Sequence, residues 1–111
     1  MVSMAKMERV LTGDFAEILT RIERGVVQSS ITASLEGSSD FVSGASRCSV
    51  RVFERYSYAG SNRVSLSVTL FQGEDGAIRL SAVASGGSQA LFFKINTWGE
   101  EAFLDKLKEI I

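Results

Sequence analysis

Apolar and polar residues alternate almost without exception along two stretches in the middle of the chain. In residues 64–71 the even positions are Val or Leu, and the odd positions are mostly small hydroxyl residues. Residues 78–85 repeat the rule, with Val83 as the one odd apolar position. A period of two predicts β-strands with one buried face. The centre of the chain is therefore predicted to be an antiparallel sheet with its other face open to water.

Helical periodicity appears on either side of this region. Residues 14–17 have the Asp-x-x-Glu form of a capping box, apolar residues follow at helical spacing, and Gly25 suits a C-cap, which predicts a helix near 14–25. Residues 97–100 have the Thr-x-x-Glu form, and apolar residues line one face up to Ile111, which predicts a second helix near 98–111. Both helices must bury their apolar faces on the sheet.

Four strands are predicted in a meander. Their ranges are near 30–36, 46–56, 63–72 and 77–85, with a weaker strand from Met7 to Leu11 before them. In the second of the four, the alternation of odd and even positions predicts which residues share a face. Cys48, Val50 and Val52 are predicted on the buried face, and the open face is predicted to carry Arg47, Ser49, Arg51, Phe53 and Arg55. Five-residue loops then place Val52 opposite Leu66 and Leu70 opposite Ile78. An attractive Glu36–Arg47 pair on the open face supports pairing Leu35 with Cys48. Residues 90–95 suit either a short strand or the approach to a helix.

The predicted order is strand, helix, four strands, helix. It gives one α+β domain over residues 1–111, a two-layer sandwich with both helices on the even-numbered face of the sheet. The order of elements resembles the TATA-binding-protein-like and helix-grip folds. That similarity concerns the order of elements alone and implies no function.

Several segments together resemble a known family. They are Ser46-Arg47-Cys48-Ser49-Val50-Arg51-Val52-Phe53-Glu54-Arg55-Tyr56, Asn62-Arg63-Val64-Ser65-Leu66, Ser85-Gly86-Gly87-Ser88-Gln89-Ala90 and Phe92-Phe93-Lys94-Ile95-Asn96-Thr97. The pattern is similar to a family of small uncharacterised proteins from Gram-positive bacteria of the Bacillus and Clostridium type. This family has no assigned activity, so the resemblance supplies no functional residues.

Composition restricts the chemistry. The chain has 111 residues and a net charge of −1, so no global field favours nucleic acid or an anionic membrane. It has no histidine, which removes Ser-His-Asp and Cys-His catalysis and His-ligated zinc. Neither a metal-ligand spacing nor a cofactor motif is present, so we expect a protein without catalytic residues, metal or cofactor. We also expect a cytoplasmic protein, from its single cysteine and from the lack of a signal-peptide pattern or a membrane-spanning run.

A small-ligand pocket is one hypothesis for function. Glu54 continues the inward parity at the end of its strand beside Tyr56, and Phe92 and Trp98 are placed to line a cavity between the C-terminal helix and the sheet. The alternative is that Glu54 is ion-paired at the rim and that the aromatic residues simply fill the core.

The open face of the sheet carries the second hypothesis. Five arginines are predicted there among serines and threonines, with Phe53 and Phe71 between them, a pattern that also occurs in single-strand nucleic-acid binders. The near-neutral net charge argues against nucleic acid. Phe53, Phe71 and Val83, with Arg51, are better explained as the interface of a homodimer, since aromatic residues and arginine are enriched in interface cores.

Overall fold

Five antiparallel strands form the sheet, and both helices pack on one of its faces. The computed structural model describes residues 2–56, 63–87 and 103–111. The elements in chain order are β1 (Val2–Leu11), α1 (Phe15–Gln28), β2 (Ser34–Ser43), β3 (Ser46–Tyr56), β4 (Arg63–Gln72) and β5 (Ile78–Gly87). Residues 103–110 are helical and are called α2. The strand order is β1-β5-β4-β3-β2, which confirms the predicted α+β meander with its helices.

Helix α1 begins where the capping box predicted. The Asp14 carboxylate accepts a hydrogen bond from the Glu17 backbone N–H at 3.0 Å, which satisfies one of the free donors of the first turn. Phe15, Ile18, Ile22 and Val26 are buried on one side of the helix. This stripe lies on the sheet and joins the hydrophobic core.

Gly25 does not end α1, as the sequence suggested, because the helix continues to Gln28. Its role is a close approach between the helices. A Cβ atom at position 25 would lie 2.6 Å from both Cγ1 and Cδ1 of Ile110 in α2. Real Cβ atoms do not come this near to other carbon atoms, so a larger residue at position 25 requires the Ile110 side chain to move.

We predict that Gly25→Ala will not stabilise the protein. Alanine normally gains about 1 kcal/mol over glycine within a helix, but here it forces Ile110 away from α1. In an Ile110→Ala background the same substitution should give the usual gain of about 1 kcal/mol. Urea denaturation of the four proteins in this cycle measures the difference. A stabilised Gly25→Ala single variant would show that the helices do not meet at this residue.

The core lies between the helices and the sheet. The even-numbered residues of β4 and β5 face the core as predicted. Each even-numbered residue from Val64 to Leu70 and from Ile78 to Ala84 is at most 2% exposed. Met7 of β1 and Phe103 and Leu107 of α2 complete it. The strict alternation of β4 and β5 therefore identified the buried face correctly.

The register between β3 and β4 differs from the prediction by one residue. Leu66 pairs with Phe53 instead of Val52, because the connection spans residues 57–62. Side chains alternate with a period of two, so a shift of one residue turns every side chain of β3 to the opposite face. The odd positions of β3 face the helices, and its even positions face the open side.

The register between β4 and β5 differs by two residues. Leu70 pairs with Leu80 instead of Ile78. A shift of two keeps each side chain on its predicted face, which explains why the predicted core of these strands is correct although the predicted pairs are not.

Strand β2 is longer and lies later in the sequence than predicted. It reaches Ser43 and returns into β3 through a two-residue turn, in which Gly44 has a φ of +57°. Glycine adopts positive φ readily, and the tight turns of β-hairpins require it. The hairpin pairs Phe41 with Cys48. The predicted Leu35–Cys48 and Glu36–Arg47 pairs are wrong, because residues 37–43, between the two predicted strands, belong to β2.

Candidate functional site

The face of β3 that packs under the helices carries three arginines. The alternation along the sequence had predicted them on the open face. Arg51 is 6% exposed and Arg55 is 9% exposed, while Arg47 is half-buried. Between them Phe53 is fully buried. The long aliphatic stems of arginine tolerate such positions when the guanidinium group finds a partner. Phe53 and Arg51 therefore do not lie on the open face, and their expected place in an interface there is wrong.

Arg51 joins three elements through its guanidinium group. Its Nε donates to Glu23 Oε2 of α1 at 2.6 Å, and its Nη2 donates to Asp40 Oδ1 of β2 at 2.9 Å. The Ser49 hydroxyl donates to the same Asp40 oxygen at 2.6 Å. Two carboxylates thus compensate a buried positive charge, and the network attaches both α1 and the edge strand to β3.

Asp40 gives the fold a pH dependence. The Ser49 hydroxyl and the Arg51 guanidinium hold the pKa of Asp40 below its ordinary value of 3.8. A folded-state pKa that is lower than the unfolded one contributes stability above the unfolded pKa, and this contribution is lost as the pH falls through the folded pKa. We predict that the free energy of unfolding decreases as the pH is lowered below about 4.

The Asp40→Asn variant should lose less stability than the wild type on acidification, as measured by urea denaturation at neutral pH and at stepwise lower pH. Asp75→Asn is the comparison variant, because the Ala77 N–H and Arg79 also lower the pKa of Asp75. The double variant should have the shallowest acid dependence. An acid dependence of Asp40→Asn as steep as that of the wild type would refute the prediction.

The other two arginines of this face contact aromatic rings. The Arg47 guanidinium carbon lies 4.2 Å from the ring centre of Phe15, and that of Arg55 lies 4.5 Å from the ring centre of Phe103. Both distances are typical of cation–π contacts. Burial lowers the pKa of Arg55. Across the described residues, Arg55 Nε has no hydrogen-bond partner.

The arginine-rich open face expected from the sequence is not formed. Only Arg63 and Arg79 of the five predicted arginines lie there, and both contact carboxylates. Arg63 is ion-paired with Glu54, and Arg79 Nη2 lies 3.4 Å from Asp75 Oδ2. The stacking surface proposed for nucleic acid thus lacks most of its cations and one of its two phenylalanines.

The open face is instead crossed by aligned rows of side chains. One row runs over all five strands at one end of the sheet, and we call it the first row: Val10, Arg79, Phe71, Cys48 and Phe41. The second row is Glu8, Ser81, Thr69, Val50 and Ser39, and the third is Lys6, Val83, Ser67, Val52 and Gly37. The fourth contains Ser85, Ser65, Glu54 and Ser34.

Apolar side chains on this face form what we call the open-face patch: Val10, Phe41, Cys48, Val50, Val52, Phe71 and Val83. Val10 is 69% exposed, Phe41 is 64% exposed and Phe71 is 39% exposed. The remaining members are half-buried. Phe41, Cys48 and Phe71 are neighbours in the first row, whereas Arg79 separates Val10 from them and Ser67 separates Val83 from Val52. Exposed apolar surface marks interaction sites in soluble proteins.

A shallow groove of about 410 Å³ lies behind the first row. Val10, Phe71 and Arg79 form one wall, and the small hydroxyl residues Thr69 and Ser81 form its floor. The groove exists because tall side chains in the first row stand beside short ones in the second. The groove makes the open face uneven, and a complementary surface can fill this depression.

Two of the predicted interface residues, Phe71 and Val83, do lie on the open face. Sequence reasoning missed Val10 and Phe41, which belong to strands whose alternation is poor, and it assigned Cys48, Val50 and Val52 to the core. The available signal was that β3 has apolar residues on both faces, with Phe53 on one side and three small apolar residues on the other.

Of the four residues predicted for a ligand pocket, the structure describes Glu54 and Tyr56. Glu54 and Tyr56 lie at the end of β3 next to Arg63, whose guanidinium carbon is 5.8 Å from the Tyr56 ring centre. Phe92 and Trp98 fall outside the described residues, as do residues 90–95. Where α2 is described, Phe103, Leu104 and Leu107 are packed into the core.

Neither a cluster of metal-ligating side chains nor a membrane-spanning helix occurs within residues 2–56, 63–87 and 103–111. No group of three or more Cys, Asp or Glu side chains is placed to hold a metal ion there. Neither α1 nor the described part of α2 has the length and apolar character needed to cross a membrane.

Comparisons with known proteins give a fold and a family. The structure is similar to the crystal structure of a hypothetical protein, jhp0584, from Helicobacter pylori, with a TM-score of 0.50, 11% identity and coverage of 95% of this chain and 85% of that one. It is also similar to Mll3558 from Rhizobium loti, with a TM-score of 0.47, 13% identity and coverage of 100% and 98%. At these identities the likeness to jhp0584 shows a shared fold and nothing further.

No curated protein matches the chain. The origin in Gram-positive bacteria, which the sequence resemblance implied, stays a prediction. The profile of a family of unknown function (DUF6054) matches residues 4–111, so the chain belongs to that family.

Proposed function

We propose that this protein is a non-enzymatic, self-associating cytoplasmic protein that forms a homodimer through the open face of its sheet. The observation that carries the proposal is that β3 has apolar residues on both faces, Phe53 among three arginines on the helix side and Cys48, Val50 and Val52 on the open side. Phe53 is buried under the helices, while Val50 and Val52 on the opposite face are half-buried, and no described helix or strand packs over them. Strands with two apolar faces are typical of sheets that are covered on both sides.

The size of the face suits a stable dimer. Five strands of ten or eleven residues give a surface of roughly 33 Å by 24 Å, or about 800 Å². A stable protein–protein interface buries about 800 Å² on each partner. The central strand contributes Ser65, Ser67 and Thr69, small side chains that allow a second sheet to approach closely.

The charges of this face are few and already paired or peripheral. Lys6 and Glu8 lie on the edge strand β1, 3.7 Å apart, and Arg63 is paired with Glu54 at the far end. A second sheet can therefore cover the open-face patch without burying an isolated charge at its centre, where desolvation is most costly.

The test is the oligomeric state of a Phe41→Ser/Phe71→Ser double variant. We expect a dimer for the wild type and a folded monomer for the double variant, in sedimentation velocity over low to high micromolar concentration. Phe41 and Phe71 are both exposed, so their replacement leaves the core intact.

Val10→Ser and Val42→Ser form a matched pair of further variants. Both valines are exposed on edge strands, at 69% and 74%. Val10 lies on the open face, whereas Val42 pairs with Arg47 on the helix side. Only Val10→Ser should weaken the dimer. A wild type that stays monomeric at high micromolar concentration would refute the proposal.

A further inference from the structure

We infer that the two-fold axis of this dimer runs parallel to β4, so that β4 of one copy lies over β4 of its partner. The inference rests on the proposed dimer and specifies how the second copy is oriented. Strand β4 is the central strand of the order β1-β5-β4-β3-β2. An axis along it exchanges β5 with β3 and β1 with β2, and it covers the whole face.

The first row fits this arrangement. Rotation about an axis along β4 reverses the order of the strands in the partner. It leaves each row at the same position along the strand direction, so that every row lies over the same row of the partner. Phe41 then lies over the partner's Val10, Phe71 lies over the partner's Phe71, and Cys48 lies over the partner's Arg79. The three most exposed apolar residues of the open-face patch thus contact apolar residues.

The third row fits in the same way. Val83 of β5 lies over the partner's Val52 of β3. Ser67 lies on the axis and meets its own copy, which places two small hydroxyl groups at the centre. Val83 was the one apolar residue that broke the alternation of β5, and this contact provides an apolar partner for it.

The charges argue against an axis that runs along one of these four rows. Every row contains one charged residue: Arg79 in the first, Glu8 in the second, Lys6 in the third and Glu54 in the fourth. An axis that runs along any row places its charged residue over the same residue of the partner. Like charges brought together at an interface are unfavourable.

The axis along β4 brings one like-charged pair together, Arg63 over the partner's Arg63 at the end of β4, where each guanidinium group is ion-paired with Glu54 of its own chain. Arg79 and Glu54 lie over the partner's Cys48 and Ser85, and the two charged residues of β1 lie over uncharged residues of β2. A perpendicular axis between the second and third rows separates all like charges and places Lys6 over the partner's Glu8. However, it places Phe71 over the partner's Ser65 and so separates the apolar residues of the first row from one another.

Cysteine cross-linking tests the direction of the axis. In a Cys48→Ser background, single cysteines are introduced as Ser67→Cys and Thr69→Cys on β4, and as Ser81→Cys and Ser39→Cys in the second row. Stacked sheets lie about 10 Å apart, so the short reagent bismaleimidoethane joins cysteines that directly face each other. We expect covalent dimers for both β4 variants and none for Ser81→Cys or Ser39→Cys.

A positive control and a specificity control complete the experiment. The Ser81→Cys/Val50→Cys double variant should cross-link, because these positions face each other across the dimer. Adding Phe41→Ser and Phe71→Ser to the Ser67→Cys variant should abolish its cross-link.

The outcomes separate the axis from the dimer itself. A dimer in sedimentation that cross-links through Ser81→Cys and Ser39→Cys, or that fails to cross-link through both β4 positions, overturns the axis and leaves the dimer standing. A monomer in sedimentation overturns both.

Discussion

Replacing Phe53 with alanine is expected to lower the free energy of unfolding by about 3–5 kcal/mol. Phe53 is fully buried on the helix side of β3. The substitution removes an aromatic ring from between the sheet and the helices, and close-packed neighbours fill the resulting cavity only in part. Domains of ordinary size are stable by about 5–15 kcal/mol, so the midpoint of urea denaturation should fall clearly.

Phe71→Ala is the matched control for this prediction. Phe71 is the same residue type on the neighbouring strand, but it is 39% exposed on the open face. Its replacement should cost about 1 kcal/mol or less in folding while weakening the dimer. Both variants should be compared at low protein concentration, where association adds little to the measured stability. A loss for Phe71→Ala that equals or exceeds that for Phe53→Ala would contradict the observed faces of β3.

The second large effect is expected for Arg51→Ala, with a loss of about 2–4 kcal/mol in the free energy of unfolding. Breaking a buried ion pair costs about 3–5 kcal/mol when the remaining charge stays buried. Here the side chains of Glu23 and Asp40 are 32% and 55% exposed, so water replaces part of the lost interaction. The substitution also separates α1 from β2, because the guanidinium group is what joins them.

Two comparisons make the Arg51 prediction specific. Arg51→Lys keeps the charge but loses the planar group that binds two carboxylates at once. Its free energy of unfolding should lie between those of the wild type and Arg51→Ala. Arg63→Ala removes an exposed ion pair with Glu54 and should cost under about 1 kcal/mol. If Arg51→Ala destabilises no more than Arg63→Ala in urea denaturation, the network does not hold the edge strand and the helix in place.

Periodicity was a reliable guide where one face of an element is apolar and the other is polar. The buried faces of β4 and β5 follow from their alternation, and the start of α1 follows from Asp14 and Glu17. These features depend on residues close together in sequence. They are decided by the contrast between an apolar and a polar face.

The candidate site depends on strands where that contrast is weak. Cys48, Val50 and Val52 favoured one face of β3, and Phe53 together with the arginine stems favoured the other. Counting apolar positions selected the first. The structure selects the second, because a full phenylalanine ring and long arginine stems bury more surface than three small side chains do.

The sequence by itself determined the order of elements, the fold class, and the inward faces of α1, β4 and β5, because each of these depends on local spacing. Only the tertiary structure decided which face of β3 meets the helices. Glu23 of α1 and Phe103 of α2 supply the partners for Arg51 and Arg55, and these contacts lie far apart in sequence. Because one residue of register reverses a whole strand, that decision also determined which apolar residues form the open-face patch.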